Sequence, residues 1–298
     1  MSVTIYPTAR DFLAAVQTPL EADEPLHSLV LGVCSHLARS PEPPQEAPYL
    51  AAVWDRQKLL LAAMMIPPHH LVLAPTEHAD PRALLALVKE LRDSQRSVPG
   101  VQAPVPHARR FAELWCQGEE CRFHRLRRLE ILALETVLAP RPAPGHLRVA
   151  TQDDVSQVTE WLLAFQEEAL PEEAAQEETR RRIPEIARRV VEAGRLFLWE
   201  HGGPVSMVAL SRPTRHGVTL NMVYTPPPHR NKGYASNAVA QLSQRLLAEG
   251  YRFCTLFVDQ ANPISTRLYR AIGYRPVAEV EVYRFQPPGP PNPDGKRI

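Results

Sequence analysis

The sequence lacks a surplus of one charge, has few cysteines and contains no long apolar run. Lys plus Arg total 34 against 33 Asp plus Glu, so the net charge indicates neither nucleic acid nor an anionic membrane as a partner. Apolar stretches such as residues 59–66 are much shorter than the roughly 20 residues that cross a bilayer. We therefore expect a soluble protein that binds no nucleic acid and no membrane.

The cysteines are scattered, and no signal-peptide pattern precedes them. Cys34, Cys116, Cys121 and Cys254 are therefore expected to be free thiols in a reducing cytoplasm, not disulfides. His124 follows the middle pair, but the spacing of these two cysteines differs from that of a zinc knuckle and no second pair follows. The sequence thus predicts no metal site.

Length and proline positions predict two domains. A chain of 298 residues is long for one core, since domains usually hold about 100–200 residues. The Ala- and Pro-rich run at 139–145 cannot continue a helix or a central strand. We place a linker at 140–146, between domains at 1–139 and 147–286, and we expect residues 287–298 to be a disordered tail.

The two halves of the sequence share an order of elements. Each opens with a short strand and a capping box, at residues 8–11 and 151–154, whose side chains satisfy free N–H groups at a helix start. Second helices follow at 22–38 and 172–193, and then strand meanders. Past that point the first half runs through residues 75–81 into a helix without a glycine-bearing basic loop, whereas the second half has such a loop. This order predicts an α/β fold in which a mixed sheet flanked by helices occurs twice.

The chemistry of the second half is concentrated after a predicted strand at 218–225. Arg230, Gly233 and Ala235 form the pattern Arg-x-x-Gly-x-Ala at a helix start. Small residues let backbone N–H groups approach a diphosphate, and the helix dipole and nearby basic side chains favour its charge. The alternative is an ordinary basic helix start. A strand at 251–259 completes a parallel unit, whose ligand lies at the carboxyl ends of the strands.

A short helix further along carries a second candidate. Asn262 suits an N-cap and Pro263 the first helical position, and Gly273 ends the helix. Tyr269 lies about two turns after Asn262, so its side chain can project toward the gap between the parallel strands. The alternative is a packed aromatic side chain without a chemical role.

These residues carry a family resemblance. Residues 223–235, followed by Asn262, Tyr269 and Gly273-Tyr274, resemble the acyl-CoA-binding and catalytic region of the GNAT superfamily of N-acetyltransferases. The specific match covers about residues 195–285, and the rest matches only in element order. The resemblance implies a twisted mixed sheet whose fourth and fifth strands splay apart to admit the pantetheine arm. It also implies a tandem architecture with a degenerate N-terminal copy that has no phosphate loop.

The resemblance implies acetyl-CoA as cosubstrate, without a metal. The backbone of Met222, Val223 and Tyr224 is expected to bind the pantetheine arm and polarise the thioester oxygen. Tyr269 is expected to protonate the departing thiolate, since an ordinary tyrosine is protonated at neutral pH. The residues implied to hold the coenzyme are Met222, Val223, Tyr224, Arg230, Asn231, Lys232, Gly233, Tyr234, Ala235, Ser236 and Asn262.

Two positions depart from the family pattern. Asn231 stands where Gly is common, although Asn tolerates a left-handed backbone better than most residues. The strand at 218–225 carries Asn221 and no acid, whereas family members often have a glutamate there that takes the amine proton. The general base is therefore unassigned. The candidates, each of which is better explained as a solvated surface carboxylate, are Glu160, Glu167, Glu168, Asp259 and Glu279. The alternative is a chain of water molecules that takes the proton.

The expected activity is direct attack of an amine on the thioester in a ternary complex. The acceptor is an unidentified small-molecule or peptide amine, and Cys254 is expected to be a buried strand residue, not a nucleophile. The alternative is a non-catalytic acyl-CoA sensor or regulatory module, which the missing strand acid favours, whereas Tyr269 favours the enzyme. The short basic cluster at 122–128 leads into an apolar strand and predicts a solvated edge, not a nucleic-acid site. The sequence predicts no oligomeric state.

Overall fold

A computed structural model describes residues 1–40, 44, 46–117, 121–170 and 177–286. The strands of this part of the chain are β1 (Ser2–Ile5), β2 (Tyr49–Asp55), β3 (Lys58–Met65), β4 (Leu71–Pro75), β5 (Gly100–Pro104), β6 (Arg122–Leu134), β7 (His146–Val149), β8 (Leu196–Glu200), β9 (Pro204–Ser211), β10 (Gly217–Tyr224), β11 (Phe253–Asp259) and β12 (Arg275–Gln286). Its α-helices are α1 (Ala9–Glu21), α2 (Glu24–Arg39), α3 (Pro81–Asp93), α4 (His107–Cys116), α5 (Val155–Ala169), α6 (Glu177–Glu192), α7 (Tyr234–Ala248) and α8 (Pro263–Ala271).

The chain divides into two compact units that are not continuous in sequence. Unit 1 comprises Met1–Ile131, Phe257–Pro263 and the segment from Pro276 onward, and unit 2 comprises Leu132–Leu256 and Ile264–Arg275. Strand β12, near the end of the chain, thus belongs to unit 1, where it pairs antiparallel with β5. The predicted domain limits at 1–139 and 147–286 stay predictions, and the predicted tail at 287–298 lies outside the described residues.

Unit 1 has helices on both faces of its sheet, which follows the order β1-β2-β3-β4-β5-β12-β6. Apolar residues occupy both faces of β2, because Leu50 and Ala52 pack with α1 and α2 whereas Tyr49 and Val53 pack with α3 and α4. A strand buried on both faces reads as a continuous apolar run. Helix α1 begins at the predicted cap, where the Thr8 hydroxyl accepts the N–H of Asp11.

Unit 2 repeats this arrangement on the sheet order β11-β10-β9-β8-β7. Leu196 and Leu198 of β8 pack with α5 and α6. On the other face Phe197 lies under Arg245 of α7, whose guanidinium carbon is 5.6 Å from the ring centroid. The predicted capping box is present, and Thr151 and Asp154 open a short 3-10 turn from which α5 continues. The mixed α/β architecture expected from the sequence is confirmed.

One expectation about the cysteines is wrong. Cys116 and Cys121 form a disulfide, with Cα atoms 4.9 Å apart, because the last residue of α4 lies close to the residue that precedes β6. Cys34 and Cys254 are free and buried, as expected. The basic cluster at 122–128 lies at the start of β6, where Arg122, His124 and Arg125 are exposed to solvent.

Neither a membrane-spanning helix nor a cluster of metal ligands occurs among the described residues. None of the helices in these ranges is both long and apolar enough to cross a bilayer. In the same ranges, no three side chains of the types His, Cys, Asp and Glu are grouped closely enough to hold a metal ion.

Candidate active site

Strand β10 contains a bulge at the residues that are expected to bind the thioester. In its antiparallel pairing with β9, Asn221 and Tyr224 are paired residues, and Met222 and Val223 lie between them opposite the single residue Val208. Two residues against one define a β-bulge, which disrupts the ladder and leaves backbone groups unpaired. Met222 accordingly has a positive φ of 50°. The backbone of residues 222 and 223 is therefore available to a ligand.

The other edge of β10 is paired over a short length only. Its parallel pairing joins Gly217–Thr219 to Phe253–Thr255 of β11, and within the described residues it ends there, although β10 continues to Tyr224. The two threonines at the last pair bring their hydroxyl oxygens within 3.0 Å of each other. Past this point the edge of β10 carries N–H and C=O groups that β11 does not use.

The loop after β10 adopts the conformation that its sequence demands. A 3-10 turn at Pro227–His229 leads to Arg230, and α7 begins at Tyr234. Asn231 and Gly233 both have left-handed backbones, with φ of 61° and 81°. Asn231 therefore takes the conformation that this residue type tolerates best among non-glycine residues.

The first turn of α7 presents backbone N–H groups. Its N-cap, Gly233, has no side chain that could bond to them, and the first four N–H groups of a helix have no intrahelical partner. The Asn237 side chain stabilises this turn, because its Nδ2 donates to Gly233 O at 2.9 Å and to Arg141 O at 3.0 Å. Arg141 belongs to the predicted linker segment, which thus has a defined contact within unit 2.

The charged side chains of the loop are directed to protein groups. The Arg230 guanidinium donates to both carboxylate oxygens of Glu168 at 2.7 Å and to Thr225 O at 2.9 Å. Glu168 thereby raises the pKa of Arg230. Lys232 Nζ donates to Pro228 O at 3.0 Å. The structure therefore brings the loop and the end of β10 together, and a direct contact of either side chain with a diphosphate stays a prediction.

The remaining loop residues differ in what their side chains do. The Tyr234 side chain is buried, and its ring centroid lies 5.9 Å from that of His201 and 6.4 Å from that of His229. Ala235 and Ser236 are half-buried on the first turn of α7. These three residues can offer a ligand their main-chain N–H groups, whereas the aromatic ring of Tyr234 serves packing.

Tyr269 lies on α8 in unit 2 and is buried, with 8% of its surface exposed. Its ring packs edge-on against Tyr274, whose hydroxyl bonds to Ser243 Oγ at 3.0 Å. Burial raises the pKa of Tyr269 above its ordinary value. Within the described residues its hydroxyl makes no hydrogen bond, so its proton is free for a ligand. Asn262 lies in unit 1, where its N–H donates to Asp259 O at 2.9 Å.

The structure sorts the candidate bases. Within the described residues, one of the five carboxylates, Glu168, contacts both β10 and the loop, through Tyr224 and Arg230. No pattern in the sequence indicated this contact, since the partners are 62 residues apart. The other four bond to neighbours elsewhere on the surface and are Glu160, Glu167, Asp259 and Glu279.

Asn221, which precedes the bulge, has an unusual environment. Its side-chain Oδ1 is inaccessible to solvent and has no hydrogen-bond partner among the described residues. Asn221 pairs with Ala209 of β9, which belongs to the core packed against α5 and α6. Buried acceptors in native proteins are nearly always paired, so an orphaned one needs an explanation.

Comparisons with known proteins agree with this geometry. Residues 155–274 match the family described as "Acetyltransferase (GNAT) family", and no curated protein matches the chain in sequence. A GNAT acetyltransferase from Colwellia psychrerythraea has a TM-score of 0.60 and is 9% identical, over 96% of this chain and 100% of that one. A GCN5-related N-acetyltransferase from Sphaerobacter thermophilus has a TM-score of 0.59 and is 18% identical, over 97% and 96%.

A third solved structure has a tandem architecture. It is described as a tandem GNAT protein from the clavulanic acid biosynthesis pathway, and it has a TM-score of 0.57 and 14% identity over 98% of this chain and 100% of its own. At these identities the three structures are similar in fold. They show a GNAT-like fold, and residues 155–274 match the GNAT acetyltransferase family in sequence.

Proposed function

We propose that unit 2 transfers an acetyl group from acetyl-CoA to a primary amine by direct attack in a ternary complex. The observation that carries this proposal is the junction of the β10 bulge with the glycine-capped start of α7. The bulge offers unpaired backbone groups at Met222 and Val223, and the helix start offers N–H groups around Gly233. A thioester and a diphosphate belong to one coenzyme, and both kinds of binding group lie at the same end of β10.

The residues of the chain have distinct tasks in this proposal. The backbone N–H groups at residues 222–224 donate to the thioester oxygen and stabilise the negative charge that develops there, for which a well-placed donor contributes about 3–4 kcal/mol. The first turn of α7 binds the diphosphate with N–H groups and the positive end of its dipole. Tyr269 gives its proton to the departing sulfur, a task for which its raised pKa keeps it protonated.

Unit 1 is a degenerate copy that does not bind the coenzyme in this proposal. The helix after β4, which corresponds to α7, has Asp80 as its N-cap, and the Asp80 carboxylate accepts the N–H of Arg82 at 2.8 Å. Hydrogen bonds from Arg82 lower the pKa of Asp80 to about 2. A permanent negative charge therefore occupies the place where unit 2 has Gly233, and it repels an anion.

Binding and turnover are tested separately. Calorimetry with acetyl-CoA should show one site per chain, and release of free thiol should then be followed with small amines, aminoglycosides, amino acids and peptides with free N-termini. Turnover on any of these acceptors supports the proposal. A chain that binds no acetyl-CoA contradicts it.

The second candidate function is an acyl-CoA sensor. The observation that favours it is the absence of an acid on β10, where Asn221 occupies the position in question. Binding of acetyl-CoA without thiol release on the whole panel of amines would support the sensor and exclude the transferase.

A further inference from the structure

Glu168 connects the end of α5 to both parts of the candidate site. It accepts two hydrogen bonds from Arg230 of the loop, at 2.7 Å each, and one from the Tyr224 hydroxyl at 3.4 Å. The guanidinium also lies over the Tyr224 ring, 5.7 Å from its centroid. The three side chains form a chain of contacts from the phosphate loop to the face of β10 that packs against α5.

The ion pair between Glu168 and Arg230 is weak enough for Arg230 to exchange Glu168 for another anion. Both side chains are partly exposed, with 49% and 40% of their surface accessible, and solvated ion pairs contribute little to stability. A diphosphate bound at the adjacent start of α7 presents more negative charge than one carboxylate, in the geometry that a guanidinium prefers. Coenzyme binding can therefore draw Arg230 away and leave Glu168 without its counter-ion.

A carboxylate released in this way is in a suitable place to accept a proton. A carboxylate held by both oxygens on a guanidinium is a poor base, whereas a free one beside a hydroxyl can take part in proton transfer. Tyr224 lies on the same face of the sheet as Asn221, since both pair with β9 residues of the core under α5. Among the described residues, Arg180 of α6 pairs at 3.0 Å with Glu167, the neighbour of Glu168 in sequence.

We propose that Glu168 is the proton acceptor of the transfer reaction, reached through the Tyr224 hydroxyl, and that Arg230 holds it inactive until the coenzyme binds. This inference rests on the proposed function, and it assigns a protonated primary amine as the acceptor. The Tyr224 hydroxyl takes one proton from the ammonium nitrogen while it passes its own to Glu168. The nitrogen lone pair forms the C–N bond as the C–S bond breaks. The sulfur takes the Tyr269 proton, and Tyr269 regains one from the nitrogen.

The test compares Glu168→Gln with Glu167→Gln in the full chain. The two carboxylates are adjacent on α5 and each pairs with an arginine, but within the described part of the chain Glu167 has no hydrogen bond or ion pair to β10 or the loop. We expect Glu168→Gln to bind acetyl-CoA as tightly as the wild type or up to about fivefold more tightly, because a competitor for Arg230 is removed. Its kcat/KM for the amine should fall about 100-fold at neutral pH.

The pH profile separates a base from a structural side chain. Activity of Glu168→Gln should recover as pH rises, because the acceptor then arrives without its extra proton, and Glu168→Asp should restore part of the activity at neutral pH. Tyr224→Phe should reproduce the altered profile. Wild-type profiles in Glu168→Gln, or an equal loss in Glu167→Gln, would overturn the assignment while leaving the transferase proposal intact. A wild-type chain that binds no acetyl-CoA would overturn both.

Discussion

Replacement of Gly233 by alanine tests the anion site at the start of α7. The residue has φ of 81°, and a Cβ built on it would lie 3.5 Å from Ala143 Cβ and 3.6 Å from Asn237 Nδ2, which are ordinary contact distances. Space is therefore sufficient, and the cost comes from the left-handed backbone, at roughly 1–2 kcal/mol. Relief of that strain turns the peptide plane and moves the N–H groups that are proposed to bind the diphosphate.

The loss of affinity follows from those N–H groups. A hydrogen bond to a charged group contributes about 1.5–3 kcal/mol, so misplacement of one of them should weaken acetyl-CoA binding about 10- to 100-fold. Calorimetry measures this. Gly194→Ala is the matched control, because Gly194 also has a left-handed backbone, with φ of 63°, just after α6. A Cβ built on Gly194 would have no atom within 4 Å. Both variants should lose a similar amount of stability. Equal coenzyme affinity in the two variants would refute the assignment of the site.

Three further predictions follow from named contacts. Tyr269→Phe should lower kcat by a factor of about 100 or more with unchanged acetyl-CoA affinity, and an unchanged kcat would remove the acid role of Tyr269. Because burial raises the pKa of Tyr269, the wild-type side chain should still act as an acid at alkaline pH. Hydrogen bonds from Arg148 lower the pKa of Asp154 to about 2, so the stability from this pair is present above about pH 4 and is lost as pH falls through 2. The free energy of unfolding of Asp154→Asn, measured by denaturation between pH 2 and 5, should therefore depend less on pH than that of the wild type. Burial raises the pKa of Cys34 and Cys254 to about 12, so neither thiol should be alkylated at pH 8 before the chain unfolds. Rapid labelling of the native chain would contradict their burial.

Local patterns in the sequence predicted the elements of the site. The capping boxes, the strand at 218–225 and the glycine at the start of α7 depend on neighbouring residues, and each occurs where its residue types indicate. The left-handed backbone at Asn231 also follows from residue type, because few other side chains tolerate it.

Contacts between distant segments were not predictable. The pairing of β12 with β5 joins residues separated by most of the chain, and the apolar alternation of a strand says nothing about which strand it will pair with. The Cys116–Cys121 disulfide depends on how close the end of α4 lies to the start of β6. The contact between Glu168 and Arg230 is of the same kind, because a surface carboxylate carries no sequence mark of its partner.

The place of β12 in unit 1 affects how the protein is made. During synthesis, residues 1–131 leave the ribosome long before residue 276. The edge of β5 that pairs with β12 therefore stays unpaired until β12 is complete at residue 286. An unpaired strand edge is a template for association with other chains. A shortened chain that stops before β12 should therefore aggregate, and nascent chains should depend on chaperones until β12 has been synthesised.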